Sequence, residues 1–139
     1  MIVAGAILFG CGYTHDPATY FAQGWTSEYQ QVRGCEKSED HTGPYNKVYL
    51  NQSSVAQFHK ETRPLPEGTV FLKPQYSDSE CRDLKVWTVM RKGRKDEFPA
   101  SNDWDWQTVF DSGHVAQQGQ SKFCIGCHEN CDDFICTDP

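Results

Sequence analysis

Five consecutive residues near the C-terminus, Cys124-Ile125-Gly126-Cys127-His128, have the types and spacing to do chemistry. Wound into one helical turn, Cys-x-x-Cys-His sets two sulfurs where the vinyl groups of a haem form thioethers and brings the histidine nitrogen to the iron. The competing readings are half of a zinc site and a redox dithiol. A zinc site needs a second ligand pair at suitable spacing, and Cys131 with Cys136 is a poor one. A thioredoxin-like dithiol precedes a long helix in a βαβ context, which this tail lacks. The expected cofactor is one covalent haem c, held by Cys124 and Cys127, with His128 as the proximal iron ligand.

The second axial position decides what such a haem does. A second strong ligand makes an electron carrier, whereas an open site lets small molecules bind or react. The candidates are Met1 and Met90, and His15, His41, His59 and His114. Met90 falls in a strand pattern, where methionine is usually core, and the histidines read as loop or surface residues. None is a compelling sixth ligand, so a five-coordinate iron is expected.

The remaining cysteines bear on compartment. Cys11, Cys35, Cys81, Cys131 and Cys136 are too many free thiols for a reducing cytosol, which points to an exported protein. Met1 to Gly10 is apolar and rich in small residues, and Leu8-Phe9-Gly10-Cys11 resembles a bacterial lipobox with Cys11 as the lipidated residue. Residues 1–11 are therefore read as a lipoprotein signal or anchor, although the basic start of a signal is missing. A short buried strand is the alternative, and the segment is too short to span a bilayer. Residues 12–139 form a single haem domain. The expected location is the periplasm or the outer face of a bacterial membrane, with membrane contact only through Cys11. The other four cysteines form two disulfides, with Cys35–Cys81 and Cys131–Cys136 favoured among three pairings.

Composition sets outer limits. The net charge of -6 excludes nucleic acid as a partner, because phosphates call for clustered Lys and Arg. The 8 Phe, 6 Tyr and 4 Trp exceed what simple packing of a small domain needs, and suit a pocket for a flat apolar cofactor.

The elements that position the motif read as follows. Asp16-Pro17 opens a short helix through about Trp25. Residues 33–45 form a polar loop. Lys47 to Leu50 is a strand, and Ser53 or Ser54 caps a helix through Lys60. A turn at residues 64–68 leads to a strand from Thr69 to Lys73. Asp83 to Arg91 is the next strand, and Trp104 to Phe110 a fourth, with Trp104 and Trp106 on one face. A Gly- and Gln-rich stretch at 113–120 leads to the motif. Helices early and late around a run of strands with short connections give an α+β fold. Its core is a mainly antiparallel sheet with short flanking helices and a C-terminal haem-binding Cys-x-x-Cys-His segment.

Taken in order, Val48-Tyr49-Leu50-Asn51, the short helix, Leu65-Pro66-Glu67-Gly68-Thr69-Val70-Phe71-Leu72-Lys73, Trp87-Thr88-Val89-Met90-Arg91-Lys92, Trp104-Asp105-Trp106-Gln107-Thr108-Val109-Phe110 and the Cys-x-x-Cys-His motif resemble the P-460 cytochromes and the related beta-type cytochromes c-prime. The resemblance runs from about Tyr45 to His128. It implies an antiparallel sheet with helices, often dimeric, and a five-coordinate c-type haem with an open distal side. Members that oxidise hydroxylamine bond a lysine to the haem edge, and the matching position is Lys73. Alternation sets Lys73 on the sheet face of Phe71, opposite Val70 and Leu72. An edge lysine reaching out to water is the competing reading. Relatives without the bond hold nitric oxide or carbon monoxide.

Two departures stand out. Many members carry an arginine shortly before the Val-Tyr strand, where this chain has Asn46-Lys47. The distal carboxylate position falls on Trp87 or Thr88, which suits diatomic gases better than proton-coupled chemistry. The expected pocket residues are thus Phe71 and Trp87 beside the motif. The expected partners are a small gaseous or nitrogen-oxide ligand and a redox protein. The alternatives are a six-coordinate electron carrier, or a haem subunit of a larger assembly.

Overall fold

The computed structural model describes residues 17–38, 41 and 43–139. The anchor segment 1–11 with Cys11, His15, and the helix cap expected at Asp16 lie outside the described residues. Among the described residues no helix is long and apolar enough to cross a membrane.

Among the described residues, six strands form one antiparallel sheet in simple chain order. They are β1 (Tyr29–Lys37), β2 (Tyr45–Asn51), β3 (Val70–Tyr76), β4 (Leu84–Lys92), β5 (Trp104–Phe110) and β6 (Val115–Gly119). Two short helices, α1 (Gln52–His59) and α2 (Lys122–His128), complete the α+β architecture.

Alternation gives the sheet two apolar faces. Val48, Leu50, Phe71, Trp104 and Trp106 line one, joined by Phe58 of α1, Leu65 and Ile135. Val70, Leu72, Val89, Val109 and Val115 line the other, joined by Tyr20, Phe21 and Trp25. The central strand β3 is buried on both faces over Val70-Phe71-Leu72. Its pairing with β2 breaks between Tyr49↔Leu72 and Asn46↔Gln75. Pro74 lies in that gap, and it has no N–H to give the ladder.

Four sequence expectations for the elements change. Helix α1 begins at Gln52 with Asn51 at the cap position, so Ser53 and Ser54 lie inside it rather than capping it. No helix forms over residues 17–24; a single 3-10 turn spans Trp25–Ser27. The segment is instead an irregular strap pinned by side chains. Tyr20 N–H donates to Gln107 Oε1 at 2.8 Å, and Gln107 Nε2 donates to the Ala18 carbonyl at 2.8 Å. Residues 33–45 are not all loop, because β1 runs to Lys37. The 113–120 stretch contains β6. Both are edge strands whose outward side chains stay polar, so they lack the alternation that marks inner strands.

The structure pairs Cys35 with Cys81 and Cys131 with Cys136, and leaves Cys124 and Cys127 outside either bridge.

Candidate functional site

Helix α2 presents the motif. Ser121 caps it, its Oγ accepting from Cys124 N–H at 3.4 Å. One turn then brings Cys124, Cys127 and His128 to a common cavity of about 880 Å³.

His128 is prepared as a ligand before any metal is considered. Its Nδ1 lies 2.8 Å from the Phe134 carbonyl, which can only accept, so Nδ1 carries the proton. The lone pair is therefore on Nε2, the tautomer an iron ligand needs. Burial pushes the imidazole pKa down, the Phe134 hydrogen bond works against that, and the positive charge of Lys73 adds to the lowering. The ring is neutral near pH 7.

The cavity wall comes from the sheet face of Phe71. Phe71 and Lys73 of β3 and Thr88 and Met90 of β4 all line it, as strand alternation requires. Trp87 does not. It faces the other way, 5.2 Å from Trp25 and 5.3 Å from Phe21 by ring centres. The expectation that Trp87 contacts the cofactor is corrected: of the two positions weighed, β4 turns Thr88 inward. Thr88 Oγ1 accepts from Gln75 Nε2 at 3.0 Å.

Lys73 does not run out to water. Its Nζ sits 3.3 Å from Nδ1 of His41, on the inner wall of the cavity. The His41 ring stands 6.3 Å from that of His128. Gly43 holds the His41 loop this close to β3. A Cβ on Gly43 would meet Gln75 Cβ at 2.8 Å and the Tyr76 nitrogen at 2.9 Å, so only glycine fits.

Three further residues complete the surroundings of the motif. Arg33 pairs opposite Val48 and donates to Asn46 Oδ1, so β1 brings an arginine to the strand where Asn46-Lys47 replaces one. Trp106 packs its ring 6.1 Å from His128. Asp133 forms a buried ion pair with Lys92 at 2.7 Å behind the motif.

The site fits a haem on its own terms. Phe71, Met90 and Ile135 supply apolar wall for a porphyrin. Among the described residues the buried donor Trp106 Nε1 has no hydrogen-bond partner, and buried Arg33 Nε has only the Glu36 carboxylate 3.8 Å away, although both residues line the cavity. Buried donors are rarely left unpaired, and an acceptor-bearing group such as a propionate carboxylate would satisfy them. His128 would hold the iron, and the group would supply redox and ligand-binding chemistry.

A sheet with one face opened into an apolar cavity, closed by a helix ending in Cys-x-x-Cys-His, defines a small haem protein. The family model for Cytochrome P460 matches residues 23–137, and the chain belongs to that family. It is accordingly a haem cytochrome. No curated protein matches it.

Proposed function

We propose that this is an exported mono-haem c-type cytochrome whose pocket handles small nitrogen oxides, by hydroxylamine oxidation or nitric oxide binding, and passes electrons to a protein partner. Cys124 and Cys127 carry the thioether bonds and His128 is the proximal ligand. The supporting observation is the Lys73–His41 pair on the wall of the cavity that His128 enters. Reaction of a nitrogen oxide moves protons as well as electrons, and a general acid or base must lie within hydrogen-bond reach. The family's distal carboxylate position falls on Trp87 or Thr88, neither of them a carboxylate, and the Lys73–His41 pair offers titratable groups in its place. Where Lys73 is instead bonded to the haem edge, its nitrogen no longer serves as a proton-carrying group and His41 takes that part alone.

Three measurements test it. In a reduced tryptic digest, haem attached to the peptide that contains Lys73 as well as to the peptide that carries Cys124 and Cys127 establishes the cross-link; a Lys73-containing peptide of unmodified mass removes it. The reduced protein should give a broad high-spin spectrum that changes on adding nitric oxide. Cys124→Ala with Cys127→Ala should release the haem under denaturing electrophoresis.

His41 favours one other reading, a six-coordinate electron carrier. The His41 ring lies 6.3 Å from that of His128 and both residues line the cavity, so both would be available as ligands to one iron. A sharp low-spin spectrum that turns high-spin in His41→Ala selects this reading.

A further inference from the structure

The loop that follows the motif, from Cys131 to Cys136, is held at several points. The Cys131–Cys136 disulfide closes its neck. Cys131 N–H bonds the His128 carbonyl at 3.0 Å, and Phe134 N–H bonds the Cys131 carbonyl at 3.0 Å. Ile135 is buried in the core at 8% exposure.

The loop's base is fixed by one carboxylate. Asp133, its side chain 2% exposed, accepts from Lys92 Nζ at 2.7 Å and from Leu65 N–H at 2.8 Å. It also accepts from Trp104 Nε1 at 3.3 Å and from Asn102 Nδ2. These donors come from the end of β4, the turn before β3 and the start of β5. Asp133 and Phe134 are both left-handed, at φ 48° and 60°, a conformation that costs free energy in non-glycine residues and persists only where the surroundings enforce it. The consequence is local. The Phe134 carbonyl is turned back onto His128 Nδ1 at 2.8 Å, and Cys136 Sγ lies 3.7 Å from the same nitrogen.

We infer that the 131–136 loop is a clamp on the proximal ligand: Asp133 and the Cys131–Cys136 disulfide are positioning residues that press the Phe134 carbonyl onto the His128 N–H and thereby set the iron's reduction potential. The inference rests on the reading of His128 as the haem ligand. A histidine whose far N–H is held by a strong acceptor is a more basic ligand, and a more basic ligand favours the ferric state. Loosening the clamp weakens that hydrogen bond and makes the iron easier to reduce. A loop that merely anchored the C-terminus would change stability and leave the potential alone.

The experiment uses the holoprotein. The midpoint potential and, where the ferrous iron is five-coordinate, the iron–histidine stretch in resonance Raman are read for wild type, Asp133→Asn, and Cys131→Ser with Cys136→Ser. Each variant should shift the reduction equilibrium toward ferrous by roughly tenfold, which is about 59 mV for one electron, with a lower stretching frequency wherever that mode is present. Should either variant fail to fold, the measurement moves to a holoprotein carrying Cys35→Ser with Cys81→Ser, before and after reduction of its remaining disulfide. Folded protein with haem attached, whose potential stays at the wild-type value when the clamp is opened, overturns the inference. Absence of haem on the Cys124–Cys127 peptide of wild type overturns the haem reading instead, and the two failures are told apart by mass.

Discussion

The side chains of Lys92 and Asp133 are 6% and 2% exposed, and each is the other's ion-pair partner inside the protein. Their positions are not equivalent. Asp133 has four donors, whereas Lys92 Nζ has this carboxylate at 2.7 Å and the Trp104 ring at 4.9 Å. Asp133→Ala leaves a buried ammonium and several donors unmatched, and should cost about 3–5 kcal/mol. Lys92→Met leaves the carboxylate three donors and keeps the aliphatic contact with Trp104, so it should cost clearly less. Urea unfolding of the two variants decides the order; equal losses would mean that the pair, rather than the carboxylate's donor set, carries the stability. None of this was visible in the sequence. Asp133 lies in a run of acidic tail residues, and only the fold brings Lys92 to it from 41 positions away.

Legibility at the scale of elements follows burial. Strands β2 to β5 lie within the sheet between partners on both sides and are rich in apolar residues, so the faces set by the two-residue period were readable: Phe71 with Lys73, Thr88 with Met90, Trp104 with Trp106. Choosing Trp87 as a pocket residue was a one-residue error on β4, and a strand converts that into the opposite face. Strands β1 and β6 hid because edge strands face water, and His41 hid because a loop's position depends on what it packs against. Edge strand β1 also departs from its register with β2 twice, between Gln31 and Arg33 and between Arg33 and Glu36. The Cys35–Cys81 bridge fastens this irregular edge to the loop between β3 and β4. Closing a loop across 46 positions should contribute about 4 kcal/mol, mainly through the unfolded chain. Replacing both cysteines with serine should lower the thermal midpoint and raise amide exchange in β1 before the inner strands. Uniform exchange across the sheet would show that β1 does not need the staple.

The whole molecule is a sheet with two different covers. One face opens into the cavity, and the other is sealed by the 17–27 strap with an aromatic cluster of Tyr20, Phe21, Trp25, Tyr29, Tyr49 and Trp87. The seal places tyrosines where ionisation is costly. Burial raises the Tyr29 pKa to about 12, with Glu28 adding to it. Burial likewise raises Tyr20 above the ordinary phenol range, reinforced by its hydrogen bond to Asp105. Tyr49 and Tyr76 are raised by burial as well. In the unfolded chain these phenols lose their protons near pH 10. Between pH 10 and 12 the unfolded state therefore binds fewer protons than the folded one, and stability falls as pH rises. The contribution is intact below pH 10. For Tyr29 alone its loss amounts to about 3 kcal/mol once pH 12 is passed. Alkaline titration followed by phenolate absorbance and by far-ultraviolet circular dichroism tests the coupling. The phenols of the strap face should ionise together with loss of the sheet, above the range of exposed tyrosine. If all of them ionise near pH 10 with the sheet intact, the strap does not seal that face in solution.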